Sequence, residues 1–129
     1  MKVREVMGKP NVVSPETTIL EAAKIMAEKD VTTLFVIEGQ KVIGIITDMD
    51  IIKRCVIQNK KAGDVKAKDI MTSKLVTVDA DDNVEYAVNV MLENKIRRLP
   101  VVSKGRFVGI ITTDYISAHA DELGVDSLF

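Results

Sequence analysis

The sequence is poor in several residue types, and each scarcity excludes a particular bond or kind of site. Its single cysteine, Cys55, excludes an intrachain disulfide and suits a reducing compartment. Its single histidine, His119, has no second histidine and no clustered cysteines with which to form a metal site. The N-terminus lacks the apolar core of a signal peptide, and no apolar run approaches the ~18 residues needed to cross a bilayer. We therefore expect a cytoplasmic protein with no metal site and no membrane association.

The charge is balanced. The 18 basic and 19 acidic residues give a net charge of −1, so no global field attracts the chain to a polyanion. Nucleic-acid binding is therefore an unlikely main role. With 129 residues, 47% of them hydrophobic, the chain has enough apolar material for one compact domain or for two halves that share a core.

The most informative pattern is an internal repeat. Residues 42–47 are VIGIIT and residues 107–112 are FVGIIT, which places Gly44 and Gly109 65 positions apart. The same spacing relates the apolar helix residues and strand residues of the two halves, whereas Met7 and Met71 match one position out of step. We predict two packed repeats with pseudo-twofold symmetry, spanning residues 1–60 and 61–129.

Each repeat has the periodicity of an α+β unit. Ile19, Ala22, Ala23 and Met26 form one stripe of an amphipathic helix, and Thr18 is its expected N-cap. Two β-rich runs around the polar residues 38–41 predict a hairpin, and residues 48–58 predict a second helix. The second repeat predicts a helix near 83–94, strands near 99–103 and 106–112, and a helix near 114–122. With short strands at 11–13 and 75–78, the order is β-α-β-β-α, and residues 59–68 are a polar connection.

This ordered set resembles the cystathionine β-synthase (CBS) domain. The residues that carry the resemblance are an early Met, V-S-P-x-T-T-I-x-E-A, and a hairpin that ends in G-I-I-T-x-x-D; L-P-V-V and G-I-I-T follow in the second repeat. Two such domains in tandem resemble a Bateman module. The resemblance implies a regulatory module that binds an adenosine-containing ligand in the cleft between its CBS domains and that associates in pairs.

Thr47 and Asp50 match the T-x-x-D pattern of the family at the start of the second helix. A helix N-terminus suits phosphate, and a carboxylate beside it can accept both hydroxyls of a ribose. In the family the Thr and Asp of this pattern play those parts, so the resemblance assigns them to Thr47 and Asp50. The alternative interpretation is that both residues merely cap the helix.

Arg97 and Arg98 form the only Arg-Arg pair and stand where the first repeat has Thr32 and Thr33. Many family members have a basic pair before L-P-V that faces the ligand phosphates, and the planar guanidinium suits that task. The alternative is a solvated charged corner.

The adenine base needs an apolar slot, since it has flat faces and a polar edge. We predict that the residues just before the second repeat's helix line this slot: Met71, Leu75, Val76, Thr77 and Val78. Met71 and Met7 are equally compatible with a role as core filler.

The second repeat has Thr112-Thr113-Asp114, which is T-x-D and one residue short of the family pattern. We therefore predict a second, weaker site. Its candidate residues are Val12, Val13, Thr32, Thr33, Thr112 and Asp114.

The resemblance implies a sensor of AMP, ADP, ATP or a similar ligand, with no catalytic cofactor, that acts on an unidentified effector protein. S-adenosylmethionine or NAD binding, and a ligand-free structural or protein-interaction module, remain alternatives. An enzyme is not expected, because no nucleophile–base pair is visible. A homodimer is expected because the helices carry extra apolar residues. These are Ile25, Ile52, Ile57, Val90 and Leu92.

Overall fold

The computed structural model describes residues 1–123, and its contacts divide the chain into two compact units. The first unit is Pro10–Leu75, and the second is Met1–Lys9 together with the chain from Val76 onwards. Each unit combines helices with a three-stranded sheet, which confirms the predicted α+β class. Residues 124–129 of the predicted second repeat lie outside the described residues.

The first unit contains the predicted order of elements. They are β1 (Val12–Val13), α1 (Ile19–Lys29), β2 (Thr33–Glu38), β3 (Lys41–Thr47), α2 (Asp48–Ile51), a π-helical turn (Ile52–Val56), a 3₁₀ turn (Ala62–Asp64) and α3 (Ala67–Ile70). The sheet order is β1-β2-β3, with β1 parallel and β3 antiparallel to β2. The helix predicted over residues 48–58 is therefore divided into an α-helical turn and a wider π-helical turn.

The second unit repeats this arrangement. Its elements are a 3₁₀ turn (Val3–Glu5), β4 (Val78–Asp79), α4 (Val84–Asn94), β5 (Arg98–Ser103), β6 (Arg106–Thr112), α5 (Thr113–Ala118) and α6 (Ala120–Leu123). The sheet order is β4-β5-β6, with the same parallel and antiparallel pairings. The predicted last helix is interrupted at His119, where the backbone leaves the helical conformation.

Local signals explain where α1 begins and ends. The Thr18 hydroxyl accepts a hydrogen bond from the Glu21 backbone N–H at 3.1 Å, which satisfies a helix donor as predicted. Asp30 ends α1 in the left-handed conformation with φ 54°. Lys95 ends α4 in the same way with φ 55°, so the two repeats share even this exit from the helix.

Each unit has its own apolar core. In the first, Ile19, Leu34 and Ile46 are fully buried, and in the second Leu99 and Ile111 are fully buried. The predicted stripe on α1 does face the core, with Ala22 and Met26 buried and Ala23 half-buried. Burial of each large aliphatic side chain stabilises the fold by about 1.5–3 kcal/mol.

The connection after the first repeat is more ordered than a polar linker. The Val65 carbonyl accepts the Ile19 N–H at 2.8 Å, and the Ala67 N–H donates to Thr17 at 2.7 Å. Val65, Ala67 and Ile70 are buried in the first unit's core. The segment is too short for periodicity to show that these apolar side chains belong to the core.

The N-terminal residues play the same part in the second unit. The Val3 N–H donates to the Asp82 carbonyl at 2.9 Å, and the Val84 N–H donates to Met1 at 3.0 Å. We call residues 1–9 and 66–72 the two straps. By contacts, the first strap belongs with the second repeat and the second strap with the first repeat. The repeat limits 1–60 and 61–129 remain a sequence-based prediction.

Each strap is also held by one carboxylate and two cations. Glu16 bonds to Lys66 and Lys68 of the second strap, with the Lys68 contact at 2.8 Å. These lysines lower the pKa of Glu16 to about 2. Asp81, 65 positions after Glu16, bonds to Arg4 of the first strap at 2.8 Å, and this hydrogen bond lowers its pKa in the same way. Both clamps are exposed, so solvent screens them strongly.

Candidate functional site

Thr47 and Asp50 bond to each other where β3 passes into α2. The Asp50 backbone N–H donates to Thr47 Oγ1 at 3.2 Å, and the Thr47 N–H donates to Asp50 Oδ2 at 2.9 Å. The helix-capping interpretation therefore describes what these groups do within the chain. It uses one of the two carboxylate oxygens, and both side chains are half-buried. The second carboxylate oxygen takes no part in this cap.

The second repeat has a tyrosine where the first has Asp50. The Tyr115 N–H donates to Thr112 Oγ1 at 3.1 Å, which reproduces the Thr47–Asp50 backbone contact 65 positions later. Asp114, the predicted carboxylate of the second site, is exposed and instead corresponds to Met49. Counting 65 positions from Asp50 leads to Tyr115, whereas the nearest carboxylate in the T-x-D run is Asp114.

Tyr115 is paired with His119 one helical turn later. The two rings stack with centroids 4.1 Å apart and planes 16° apart, and His119 Nδ1 lies 2.9 Å from the Tyr115 carbonyl oxygen. A phenol and an imidazole cannot accept two diol hydroxyls as a carboxylate does. The two repeats therefore present different chemistry at this position.

The two arginines of the predicted pair have different surroundings. Arg98 begins β5 opposite Thr112 and is half-buried, with partners of its own. Arg97 is exposed and lines a concavity of about 450 Å³ in the second unit. The other residues of this concavity are Lys95, Ile96, Thr113, Asp114 and Ser117. Adjacent side chains on an extended backbone face opposite sides, which explains the separation.

The corresponding threonines of the first repeat have the same backbone positions. Thr33 is buried opposite Thr47 in the sheet register, as Arg98 is opposite Thr112. The Thr32 carbonyl accepts the Asp48 N–H at 3.0 Å, as the Arg97 carbonyl accepts the Thr113 N–H at 2.9 Å. The repeats therefore superimpose in bonding and differ in side chain.

Met71, a candidate for the base slot, packs against the sheet of the first unit. A β-carbon on Gly44 would lie 2.4 Å from the Met71 sulfur, so only glycine leaves room for this side chain. Thr72 exchanges two backbone hydrogen bonds with Ile45, which extends the edge of β3. Met71 is therefore packed against the strand, and its use by a ligand stays a prediction.

The second unit repeats this contact with Met7 and Gly109. A β-carbon on Gly109 would lie 2.7 Å from the Met7 sulfur and 3.1 Å from the Gly8 carbonyl oxygen. In each GIIT run, the glycine thus leaves space for the side chain of a strap methionine. The Met pair and the Gly pair are both visible in the sequence, but no local signal in it joins a methionine to a glycine so far along the chain.

The other base-slot candidates fall on both units. Leu75 ends the first unit and is half-buried, whereas Val76, Thr77 and Val78 belong to the second. Val78 begins β4 and is buried, and Thr77 is exposed. Of the two valines assigned to the second site, Val13 is buried and Val12 is exposed. Their joint use by a ligand remains a prediction.

Two other kinds of site, a metal centre and a membrane span, were considered for residues 1–123. Between residues 1 and 123 no group of three or more His, Cys, Asp or Glu side chains is arranged to hold a metal ion. Within that same range, no helix is both long and apolar enough to span a membrane.

Comparison with known families matches this chain twice to the same model. The CBS domain model matches residues 3–57 and again residues 67–120. The chain therefore belongs to the CBS domain family and contains a tandem pair of these domains.

Two relatives illustrate the extent of the sequence similarity. An uncharacterized protein of Methanocaldococcus jannaschii is 34% identical over 92% of this chain and 65% of its own length. An uncharacterized protein of Methanopyrus kandleri is 39% identical over 77% of this chain, and the match spans 52% of that relative. The chain thus spans about half to two-thirds of the length of these relatives.

A solved structure adds a ligand to the comparison. The CBS domain pair of protein MJ0100, crystallised with 5′-methylthioadenosine and S-adenosyl-L-methionine, is 32% identical to this chain with a TM-score of 0.78. The match covers 95% of this chain and 97% of that one.

Proposed function

We propose that this CBS-domain pair is a regulatory module that binds an adenosine-containing ligand and passes that signal to an effector protein. The observation that carries the proposal is the Thr47–Asp50 junction, where a half-buried carboxylate uses only one oxygen for the helix cap. The adenosyl ligands named for the MJ0100 pair support the same ligand class.

The chemistry of an adenosine phosphate suits the candidate residues. The second carboxylate oxygen of Asp50 accepts a ribose hydroxyl, and the Thr47 hydroxyl lies beside it. Arg98 supplies a guanidinium for phosphate oxygens, with charge-assisted hydrogen bonds. Arg97, which lines a separate concavity, contributes less to the same ligand. Apolar side chains from residues 75–78 and Met71 contact the base.

The charges of the adenosyl ligands determine the order in which we rank them. AMP, ADP and ATP carry the phosphates that an arginine recognises, whereas 5′-methylthioadenosine is uncharged and S-adenosylmethionine carries a sulfonium. We therefore rank AMP, ADP and ATP ahead of S-adenosylmethionine, and we keep NAD, whose pyrophosphate an arginine also recognises, as a further alternative. Arg98→Ala is expected to weaken the phosphates by roughly 10- to 150-fold, which corresponds to about 1.5–3 kcal/mol, and to leave adenosine nearly unchanged.

The central experiment is calorimetric titration of the purified chain with AMP, ADP, ATP, NAD, 5′-methylthioadenosine and S-adenosylmethionine. One ligand per chain is expected for the tightest binder, and Asp50→Asn is expected to weaken all adenosyl ligands. Asparagine keeps an acceptor for the Thr47 N–H, so the helix cap survives while the carboxylate charge is lost. Tyr115→Phe is the matched control in the second repeat. Equal loss in both variants would contradict the assignment.

A ligand-free module for structure or protein interaction is the main rival. A single-site ligand at 100 times its Kd raises the free energy of unfolding by about 2.7 kcal/mol, whereas a structural module gains nothing. Thermal unfolding with and without each nucleotide distinguishes them. Recovery of unaltered nucleotide after incubation tests our further expectation that the module binds without catalysis. Cell fractionation tests the expected cytoplasmic location.

A further inference from the structure

One arginine joins the helical segment after β3 to the second strap. Arg54 lies on the π-helical turn, and its Nη1 donates to the Ile70 carbonyl oxygen at 2.7 Å and lies 3.5 Å from the Met71 carbonyl oxygen. Ile70 is the last residue of α3 and Met71 is its C-cap, so these two carbonyls have no acceptor role within that helix. Arg54 therefore supplies a charged donor to the end of α3.

The same end of the second strap is also bonded to the strand that leads into the candidate site. The Thr72 N–H donates to Ile45 at 2.9 Å, and the Ile45 N–H donates back to Thr72 at 3.0 Å. Along the chain, Ile45 precedes Thr47 and Arg54 follows Asp50. The Thr47–Asp50 junction therefore lies between two attachments to one strap, a backbone pairing before it and a side-chain bond after it.

The second repeat has the backbone pairing and a different side-chain bond. The Gly8 N–H donates to Ile110 at 2.7 Å, and the Ile110 N–H donates back at 3.0 Å, which reproduces the strand pairing of the second strap. The residue 65 positions after Arg54 is His119, and its Nδ1 lies 2.9 Å from the Tyr115 carbonyl oxygen. The histidine is thus engaged within its own helical segment, whereas the arginine reaches a strap.

The position of the second strap in the chain gives the arginine bond a use beyond stability. The second repeat forms the same sheet and the same strap pairing without an arginine at this position, so the fold does not require one. Residues 73–75 lead directly from the second strap to Val76, where the second unit begins. The second strap is therefore a covalent path from the first repeat to the second, and Arg54 holds the end of that path.

We propose that Arg54 is a positioning residue that couples ligand binding at Asp50 to the second strap. The two residues are four positions apart on one continuous helical segment, about one turn, so a restraint on one reaches the other. A ligand on Asp50 restrains this segment, and the bond to Ile70 passes the restraint to the strap. The coupling rests on the proposed function, whereas the bond itself does not. The first strap, whose repeat has His119, should not respond.

Amide hydrogen exchange, measured by NMR on the ligand-free chain, tests the bond. Arg54→Met keeps an apolar stem and loses the donors, so it should speed exchange of the Thr72 N–H by about tenfold. The Gly8 N–H, the equivalent donor of the first strap, should change by less than about twofold. Arg54→Lys keeps a charged donor and should recover part of the protection. Lys53→Met, which removes the neighbouring exposed charge, is the matched control and should change neither amide.

Two results of this experiment would overturn the proposal. Unchanged exchange of Thr72 in Arg54→Met would mean that the bond does not hold the strap. Equal acceleration of Thr72 and Gly8 would mean that the substitution loosens the whole chain, so that Arg54 has only a general structural role.

Titration with AMP then separates failure of the coupling from failure of the proposed function. Saturating AMP should slow Thr72 exchange in the wild-type chain by about fivefold or more, leave Gly8 unchanged, and have little effect on Thr72 in Arg54→Met. Because coupling is reciprocal, the Kd for AMP in Arg54→Met should rise by the same factor. AMP that binds without slowing Thr72 exchange would overturn the coupling and leave the proposed function standing. Absence of AMP binding by calorimetry would count against the proposed function and the coupling together, while the ligand-free exchange still decides whether Arg54 holds the strap.

Discussion

The two repeats have the same backbone and different surfaces, and the comparison separates what the fold needs from what the function uses. Several positions that face the core agree between them, such as Leu34 with Leu99 and Gly44 with Gly109. Positions nearer the surface differ, such as half-buried Asp50 with exposed Tyr115. Because the two repeats share one backbone arrangement, a difference at an equivalent position outside the core indicates a separate task.

The largest effects should come from the shared core, and they should be equal. Leu34→Ala and Leu99→Ala each remove a fully buried side chain at the same sheet position, and each should cost about 2–5 kcal/mol of unfolding free energy. Urea denaturation measures both. A difference of more than about 2 kcal/mol would mean that the cores are less alike than their packing suggests.

Equivalent substitutions in the two repeats should affect ligand affinity differently, unlike the core substitutions. Asp50→Asn should weaken the adenosyl ligand by roughly 10- to 150-fold, because a charged hydrogen-bond acceptor contributes about 1.5–3 kcal/mol. Tyr115→Asp restores the first repeat's residue in the second, and we expect the calorimetric stoichiometry to rise above one ligand per chain. If Tyr115→Asp alone changes nothing, Tyr115 is not what limits the second repeat.

The methionine–glycine contacts should differ in how well they can be rescued. Gly44→Ala and Gly109→Ala should each cost about 1–3 kcal/mol, because the new methyl group overlaps a strap methionine. Met71→Ala should relieve Gly44→Ala almost completely. Met7→Ala should relieve Gly109→Ala only in part, because the Gly8 carbonyl oxygen remains 3.1 Å away. Equal rescue in both double-mutant cycles would show that the Gly8 backbone moves away from the new methyl group.

The strap clamps should give the smallest effects and a characteristic pH dependence. Because the Glu16 pKa is lowered to about 2 from 4.5, its contribution is present above pH 4.5 and is lost as the pH falls towards 2. The melting-temperature difference between wild type and Glu16→Gln should therefore shrink over that range. Asp81→Asn should show the same direction. High salt should reduce both differences, and a constant difference down to pH 2 would contradict the clamp.

Much of the fold was predictable because its signals are local. The helix stripe with Met26, the Thr18 cap and the turn at Gly39, where φ is 62°, each depend on residues near one another in the chain. The repeat spacing then linked the two halves without any structural information. The same locality explains two errors, since the π-helical turn after β3 and the break at His119 after β6 leave no periodic pattern.

By itself, the sequence determined the order of elements, which follows from periodicity and spacing, and it carried the resemblance to the CBS domain family with its T-x-x-D pattern. Only the tertiary structure decided that each strap packs on the other repeat and that Met71 lies against Gly44. The physical reason is that these contacts join residues far apart in the chain. Their formation depends on how much surface is buried and which backbone groups are paired across the whole unit.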